Sequence, residues 1–209
     1  MSIEETWLLQ YIEKAKKFGA KVALDIGANV GEWTAMLAEH FDKVVAVEPD
    51  PRAFAELSKL ASSKVVVVNA AVTSKMGAVD FYLRHNTVQS SLLLEHPIGA
   101  GDQQDAPVVE TIGVNGVTLD FLISSIANCD GPLFVKVDVE GAEGDVLAGA
   151  TLDCFKKAAW LIEIHDRERE VGLGLAPLGY DGVSVTPHPL EGAHPKHEWI
   201  YTEPGYVHT

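Results

Sequence analysis

The chain's 209 residues suit one ordinary domain with a substantial core, and 47% hydrophobic against 22% charged residues are globular proportions. Sixteen basic residues against 30 acidic ones give a formal charge of −14, a field that repels a phosphate backbone and argues against nucleic acid as a partner. No run approaches the roughly 20 apolar residues of a membrane span, the start Ser2-Ile-Glu-Glu-Thr6 lacks signal-peptide character, and Cys129 and Cys154 are too few for a disulfide framework, so a cytoplasmic protein without membrane contact is expected.

The first predicted element is a helix from about Glu4 to Phe18, with Trp7, Leu8, Tyr11, Ile12 and Ala15 on one stripe and Gly19 as its stop. Trp7 and Tyr11 either roof a pocket or pack on a sheet, and the stripe favours packing. An apolar strand, 21–26, then turns abruptly through Leu24-Asp25-Ile26-Gly27-Ala28-Asn29-Val30-Gly31-Glu32 into a helix beginning near Glu32. Such a turn makes a concavity of backbone N–H groups that accepts a nucleotide-like ligand. Counted from Gly27, Asn29 and Glu32 stand where a dinucleotide turn needs glycine, so the NAD pattern fails. The phosphate-gripping Lys-Ser/Thr pair is missing too.

An acid at the strand end suits a cationic or hydroxyl-rich ligand instead. S-adenosylmethionine is both, with an ammonium, a sulfonium and a ribose diol. A second strand, 43–48, ends in Glu48, 17 residues past Gly31, where a carboxylate reaches a ribose diol from the neighbouring strand. Pro49 holds Glu48 extended, Asp50 reads as a helix N-cap and Pro51 as the first helical residue.

Three further apolar runs, 64–69, 133–138 and 159–165, complete five strands whose near-continuous Val, Leu and Ile content signals burial on both faces of a parallel sheet. Ala78–Arg84 and Val108–Val114 read as half-exposed strands, antiparallel to each other, with a polar loop from Asn86 to Pro107 between them. Thr118 is a possible cap for a helical segment to Ile126. Two last strands, Gly182–Thr186 and Glu198–Tyr201, could form a closing hairpin. The whole reads as a single α/β domain, 1–209, with an N-terminal helix (1–19), a loop insertion (86–107) and a C-terminal segment (166–209) on the substrate side.

Asp25-Ile-Gly-Ala-Asn-Val-Gly31, Glu48-Pro49, Asn69-Ala-Ala71, Thr118-Leu-Asp120 and Val135-Lys-Val-Asp-Val-Glu-Gly-Ala-Glu143 together resemble the FkbM-type methyltransferases, in order and over most of the chain. The resemblance implies the Rossmann-like class I fold: a mostly parallel seven-stranded sheet, helices on both faces and an antiparallel closing hairpin. It also implies S-adenosylmethionine as cofactor and methyl transfer to a hydroxyl of a sugar or other small molecule. The residues expected at the cofactor are Asp25, Gly27, Ala28, Asn29, Gly31, Glu48, Pro49, Asn69, Ala70 and Asp138; for Asn69, turn formation is the competing reading.

In that fold the strands at 133–138 and 159–165 lie side by side, with their polar ends at the ligand edge. Matching register would set Lys136 against Glu163 as a buried ion pair and Asp138 against His165. His165 is then the expected general base, with Asp138 orienting its ring. A divalent metal on Asp138, His165 and Glu143 is one alternative, and purely structural roles are another. Glu143 also suits a helix entry. Ser90 and Ser91 are expected near the methionine end or the acceptor. His188, His194 and His197 match no zinc pattern, and their segment is expected, with the loop at 86–107, to wall the acceptor. The rival functions are a non-catalytic S-adenosylmethionine binder and another nucleotide-dependent enzyme such as a dehydrogenase.

Overall fold

The computed structural model describes residues 3–94, 107–128, 131–164, 168–180, 184–186 and 198–204. In chain order the elements are α1 (Ile3–Lys17), β1 (Val22–Ile26), α2 (Glu32–His40), β2 (Lys43–Val47), α3 (Pro51–Leu57), β3 (Val65–Val68), β4 (Ala71–Val72), β5 (Gly77–Arg84), β6 (Val108–Val117), α4 (Leu119–Phe121), β7 (Leu133–Val137), α5 (Glu143–Ala148), β8 (Ala159–Ile164), α6 (Glu168–Leu175), β9 (Ser184–Thr186) and β10 (Glu198–Thr202). Among the described residues no helix is long and apolar enough to cross a membrane.

Seven strands form one sheet in the order β3-β2-β1-β7-β8-β10-β9. The first five are parallel, and β10 runs antiparallel to both β8 and β9, so the expected fold class and its closing hairpin are both present. β2, β3 and β7 each stop one residue short of their apolar runs, where Glu48, Asn69 and Asp138 leave the ladder as the chain turns. β5 and β6 pair antiparallel, as expected, and belong with β4 to a separate three-stranded sheet. β4 is only two residues long, too short to announce itself as a run.

Alternation along the strands divides the core. Leu24, Val45, Val135, Val137, Trp160 and Ile162 face one side and pack with Leu119, Leu122, Val146 and Val171. Ala23, Val44, Phe134, Leu161 and Trp199 face the other, under Leu8 and Ile12 of α1 and Leu37 of α2. Trp7 and Tyr11 join this second layer. Trp7 meets the Trp199 ring edge-on at 5.4 Å, and Tyr11 lies 4.7 Å from the Tyr201 ring. Their stripe therefore packs on the sheet. Asp50 caps α3 by accepting the Arg52 N–H, with Pro51 in the first turn, and Thr118 caps α4 through the Phe121 N–H.

Candidate functional site

A cavity of about 320 Å³ opens at the carboxyl ends of β1, β2 and β7, where an open α/β sheet collects its ligands. Its floor is the glycine turn. Gly27 and Ala28 both donate backbone N–H groups to Val47 O at 3.0 Å, which bends the chain leaving β1 across the end of β2. Gly27 has φ +76, and a Cβ there would lie 1.7 Å from the Asp138 carbonyl oxygen. That approach, together with the left-handed backbone, admits only glycine. Asn29 is also left-handed, at φ 47, a conformation asparagine tolerates better than most residues.

Glu48 fixes the turn from β2. Its Oε2 accepts the Asn29 N–H at 2.8 Å and its Oε1 accepts the Asp50 N–H at 2.7 Å. The side chain is buried (6% exposed), and burial pushes its carboxyl up to about 7 against the pull of those two amides. A carboxylate offers about four acceptor positions, so two remain for a ligand.

Lys136 enters from β7. Its ammonium stands 3.3 Å from Asp25 Oδ1 and 3.3 Å from Asp138 Oδ2, donates to Gly27 O at 3.0 Å, and lies 5.3 Å from the centre of the Trp33 ring. Burial alone would depress its pKa, but Asp138 and Asp25 hold it above the ordinary lysine range. The expected Lys136–Glu163 pair does not form. β7 and β8 are offset so that Lys136 neighbours Leu161, while Glu163 pairs with Trp199 across β10. On its other edge β7 places Lys136 directly beside Asp25, and opposite charges in adjacent cross-strand positions attract.

Of the residues expected at a cofactor, Gly27, Ala28, Asn29, Glu48, Pro49, Ala70 and Asp138 line the cavity. Asp25, Gly31 and Asn69 are not among the residues that line it. Asp25 is wholly buried, accepting from Thr34 Oγ1 at 2.6 Å and facing Lys136. Gly31 caps α2 at φ 95. The Asn69 amide donates to Glu48 O at 2.8 Å and Pro49 O at 3.3 Å, the turn-forming role.

Sequence reasoning missed Trp33, Lys136 and Glu140 as wall residues, as well as the apolar rim of Val30 (41% exposed), Val88 (49%) and Leu92. Trp33 reads in sequence as one more member of an amphipathic helix. Ser90 lines the cavity, and Ser91 lies beside it, donating to Glu140 O at 2.8 Å. Glu143, the first residue of α5, accepts the Gly141 N–H at 2.9 Å at the helix entry. Among the described residues no His, Cys, Asp and Glu group converges as a metal site would require. His165, the polar loop beyond Leu94 as far as residue 106, and the histidines at 188, 194 and 197 lie outside the described residues. The chain leaves β8 at Ile164, on the cavity's edge of the sheet.

The wall thus carries four acids, Glu32, Glu48, Asp138 and Glu140, and one described cation, Lys136, whose charge Asp25 and Asp138 already neutralise. Such a site favours hydroxyl and cationic groups over phosphates. The methyltransferase FkbM domain matches residues 25–190, most of the chain. The chain belongs to the FkbM methyltransferase family. It is 26% identical over 178 residues to the hexuronic acid methyltransferase AglP of Haloferax volcanii, covering 78% of this chain and 68% of that protein. Over 60 residues it is 43% identical to the probable ribosomal RNA small subunit methyltransferase A of Aeropyrum pernix, covering 29% of this chain and 22% of that protein. Among solved structures, an rRNA methylase from Streptococcus thermophilus is similar with a TM-score of 0.48 and 13% identity, covering 92% of this chain and 90% of that one.

Proposed function

We propose that this FkbM-family chain is an S-adenosylmethionine-dependent methyltransferase that alkylates a hydroxyl oxygen on a small, non-phosphorylated acceptor such as a sugar. The observation that carries the reading is Glu48, a buried carboxylate at the tip of β2, bonded to the N–H of Asn29 in the glycine turn and lining the cavity. Its two remaining acceptor positions fit a ribose diol, and the acidic wall fits a ligand bearing an ammonium and a sulfonium. A pyrophosphate fits neither.

Gly27, Ala28, Asn29, Glu48, Pro49, Ala70 and Asp138 would hold the cofactor, with Asp25, Gly31 and Asn69 supporting them. When bound, the cofactor supplies an electrophilic methyl on a sulfonium leaving group. The chain's own task is to position the hydroxyl, exclude water and take up its proton. A neutral imidazole with a pKa near 6.5 suits that role, so His165 is assigned as base and Asp138 as the carboxylate that orients its ring. The similarity to a hexuronic acid methyltransferase supports a sugar-like acceptor, and the charge of −14 weighs against nucleic acid.

Calorimetry with S-adenosylhomocysteine and with NAD tests the cofactor, and a methyl-release assay over a panel of hydroxylated compounds tests the reaction. Binding of the first ligand without the second, followed by turnover, is the expected result. NAD binding alone would return the assignment to a dehydrogenase, and binding without turnover on any acceptor would leave a non-catalytic binder.

A further inference from the structure

Residues 86–92, following β5, form a strap along the cavity, to whose wall Thr87, Val88, Ser90 and Leu92 contribute. Three separate anchors, near the ends of β1, β7 and β2, hold the strap. In the turn after β1, Asn29 Oδ1 accepts from Thr87 Oγ1 at 3.2 Å. In the turn after β7, Glu140 O accepts from Ser91 Oγ at 2.8 Å.

The third attachment starts from Arg52, in the first turn of α3. Its Nη2 donates to Arg84 O at 2.7 Å and to Ser90 Oγ at 3.3 Å. The same guanidinium grips Asp50 with both arms, Nε to Oδ1 at 3.0 Å and Nη2 to Oδ2 at 2.6 Å. Asp50 has a fully buried side chain, and its own N–H is the one that Glu48 Oε1 accepts. One continuous run of bonds therefore leads from Glu48 through Asp50 and Arg52 to the strap. A planar fork can hold a carboxylate bidentately and still present an N–H to a carbonyl, which an ammonium on a flexible stem does poorly.

We infer that Arg52 is a positioning residue of the cavity: its guanidinium clasps the strap to the β2 end and ties the strap's placement to that of Glu48. The inference rests on the cofactor reading above for its consequence, that a ligand leaves the cavity only as fast as the clasp allows. Asp50 caps α3 through the backbone N–H of residue 52 as well, at 2.9 Å, so changing the side chain removes the clasp without removing the cap.

The test uses the full chain with Arg52→Met, Arg52→Lys and Ser90→Ala. Amide hydrogen exchange of the cofactor-free protein is read across residues 84–92, and S-adenosylhomocysteine dissociation is followed by stopped flow. Arg52→Met should speed exchange in the strap and ligand dissociation each by about tenfold, with β1 and α2 exchanging as before. Arg52→Lys and Ser90→Ala should fall between it and the parent. Strap exchange and dissociation equal to the parent's would overturn the inference, as would faster exchange spread evenly over the chain, which marks general destabilisation. If the parent binds no S-adenosylhomocysteine, the cofactor reading fails, while the exchange measurement still decides whether Arg52 holds the strap.

Discussion

Lys136 donates to the carbonyl oxygen of Gly27 across 3.0 Å, tying the end of β7 to the turn that follows β1. Its two other partners are carboxylates, Asp25 and Asp138, and the lysine is 2% exposed. Removing the ammonium leaves a buried Asp25 with no compensating charge. Lys136→Met should therefore lower unfolding stability by about 3–5 kcal/mol, the cost of breaking a buried pair. Adding Asp25→Asn should recover a large part of that. Urea denaturation of the single and double variants checks it, and a double variant no more stable than the single would contradict the pairing.

Gly27 and Gly31 separate two kinds of steric demand. A Cβ at Gly27 meets the backbone carbonyl of Asp138, whereas one at Gly31 meets the Cδ1 atoms of Leu60 and Leu57 at 2.6 and 2.9 Å. Leucine ends can rotate away, and a strand-end carbonyl cannot move without opening the sheet edge. Both substitutions to alanine carry the left-handed penalty of about 1–2 kcal/mol. Gly27→Ala should add enough to abolish ligand binding and drop the melting temperature markedly, while Gly31→Ala should stay folded and bind with modest loss. Thermal melts with S-adenosylhomocysteine titrations decide the order, and equal effects would refute it.

Glu48 should give the protein a pH signature. Its folded pKa lies above its unfolded value, so its contribution to stability is greatest below about pH 4.5 and is lost as pH rises through about 7. That rise corresponds to roughly 3 kcal/mol between the two limits. Glu48→Gln removes the dependence, so the stability of the variant relative to the parent should climb by an amount of that order from pH 5 to pH 8. Cofactor affinity should move oppositely, falling about 10–100-fold in the variant with the loss of charge-assisted hydrogen bonds. Denaturation curves and calorimetry at both pH values measure the two effects, and parallel pH profiles for parent and variant would remove Glu48 as their source.

His165→Ala should lower turnover by about 10²–10⁴-fold while leaving S-adenosylhomocysteine affinity within a factor of a few, the pattern of a lost general base. Asp138→Asn should reduce both, since Asp138 lines the cavity and faces Lys136. Near-normal turnover in His165→Ala would assign the proton to another group.

The sheet was legible because burial on both faces forces continuous Val, Leu and Ile, and because acids at strand tips stand out against that background. Glu48 could be picked out for this reason, and its two amide partners fall at the turns its neighbours Asn29 and Asp50 announce. The partner of Lys136 could not. A central parallel strand has two neighbours, and choosing between Glu163 and Asp25 requires the register on both edges, which no local pattern encodes. Arg52 was hidden differently: two residues after an N-cap it reads as a solvent-facing helical side chain, and its partners Arg84 O and Ser90 lie more than 30 residues away. Long-range contacts to backbone carbonyls leave no trace in residue type.

All described residues lining the cavity fall between Ile26 and Glu140. Among the described residues of the later elements, none adds to its surface, although Trp199 stacks against the wall residue Trp33. The described part of the cavity is thus built from the chain up to Glu140, and under the proposed function the segment after His165 is the one to exchange between relatives in a search for new acceptor preferences.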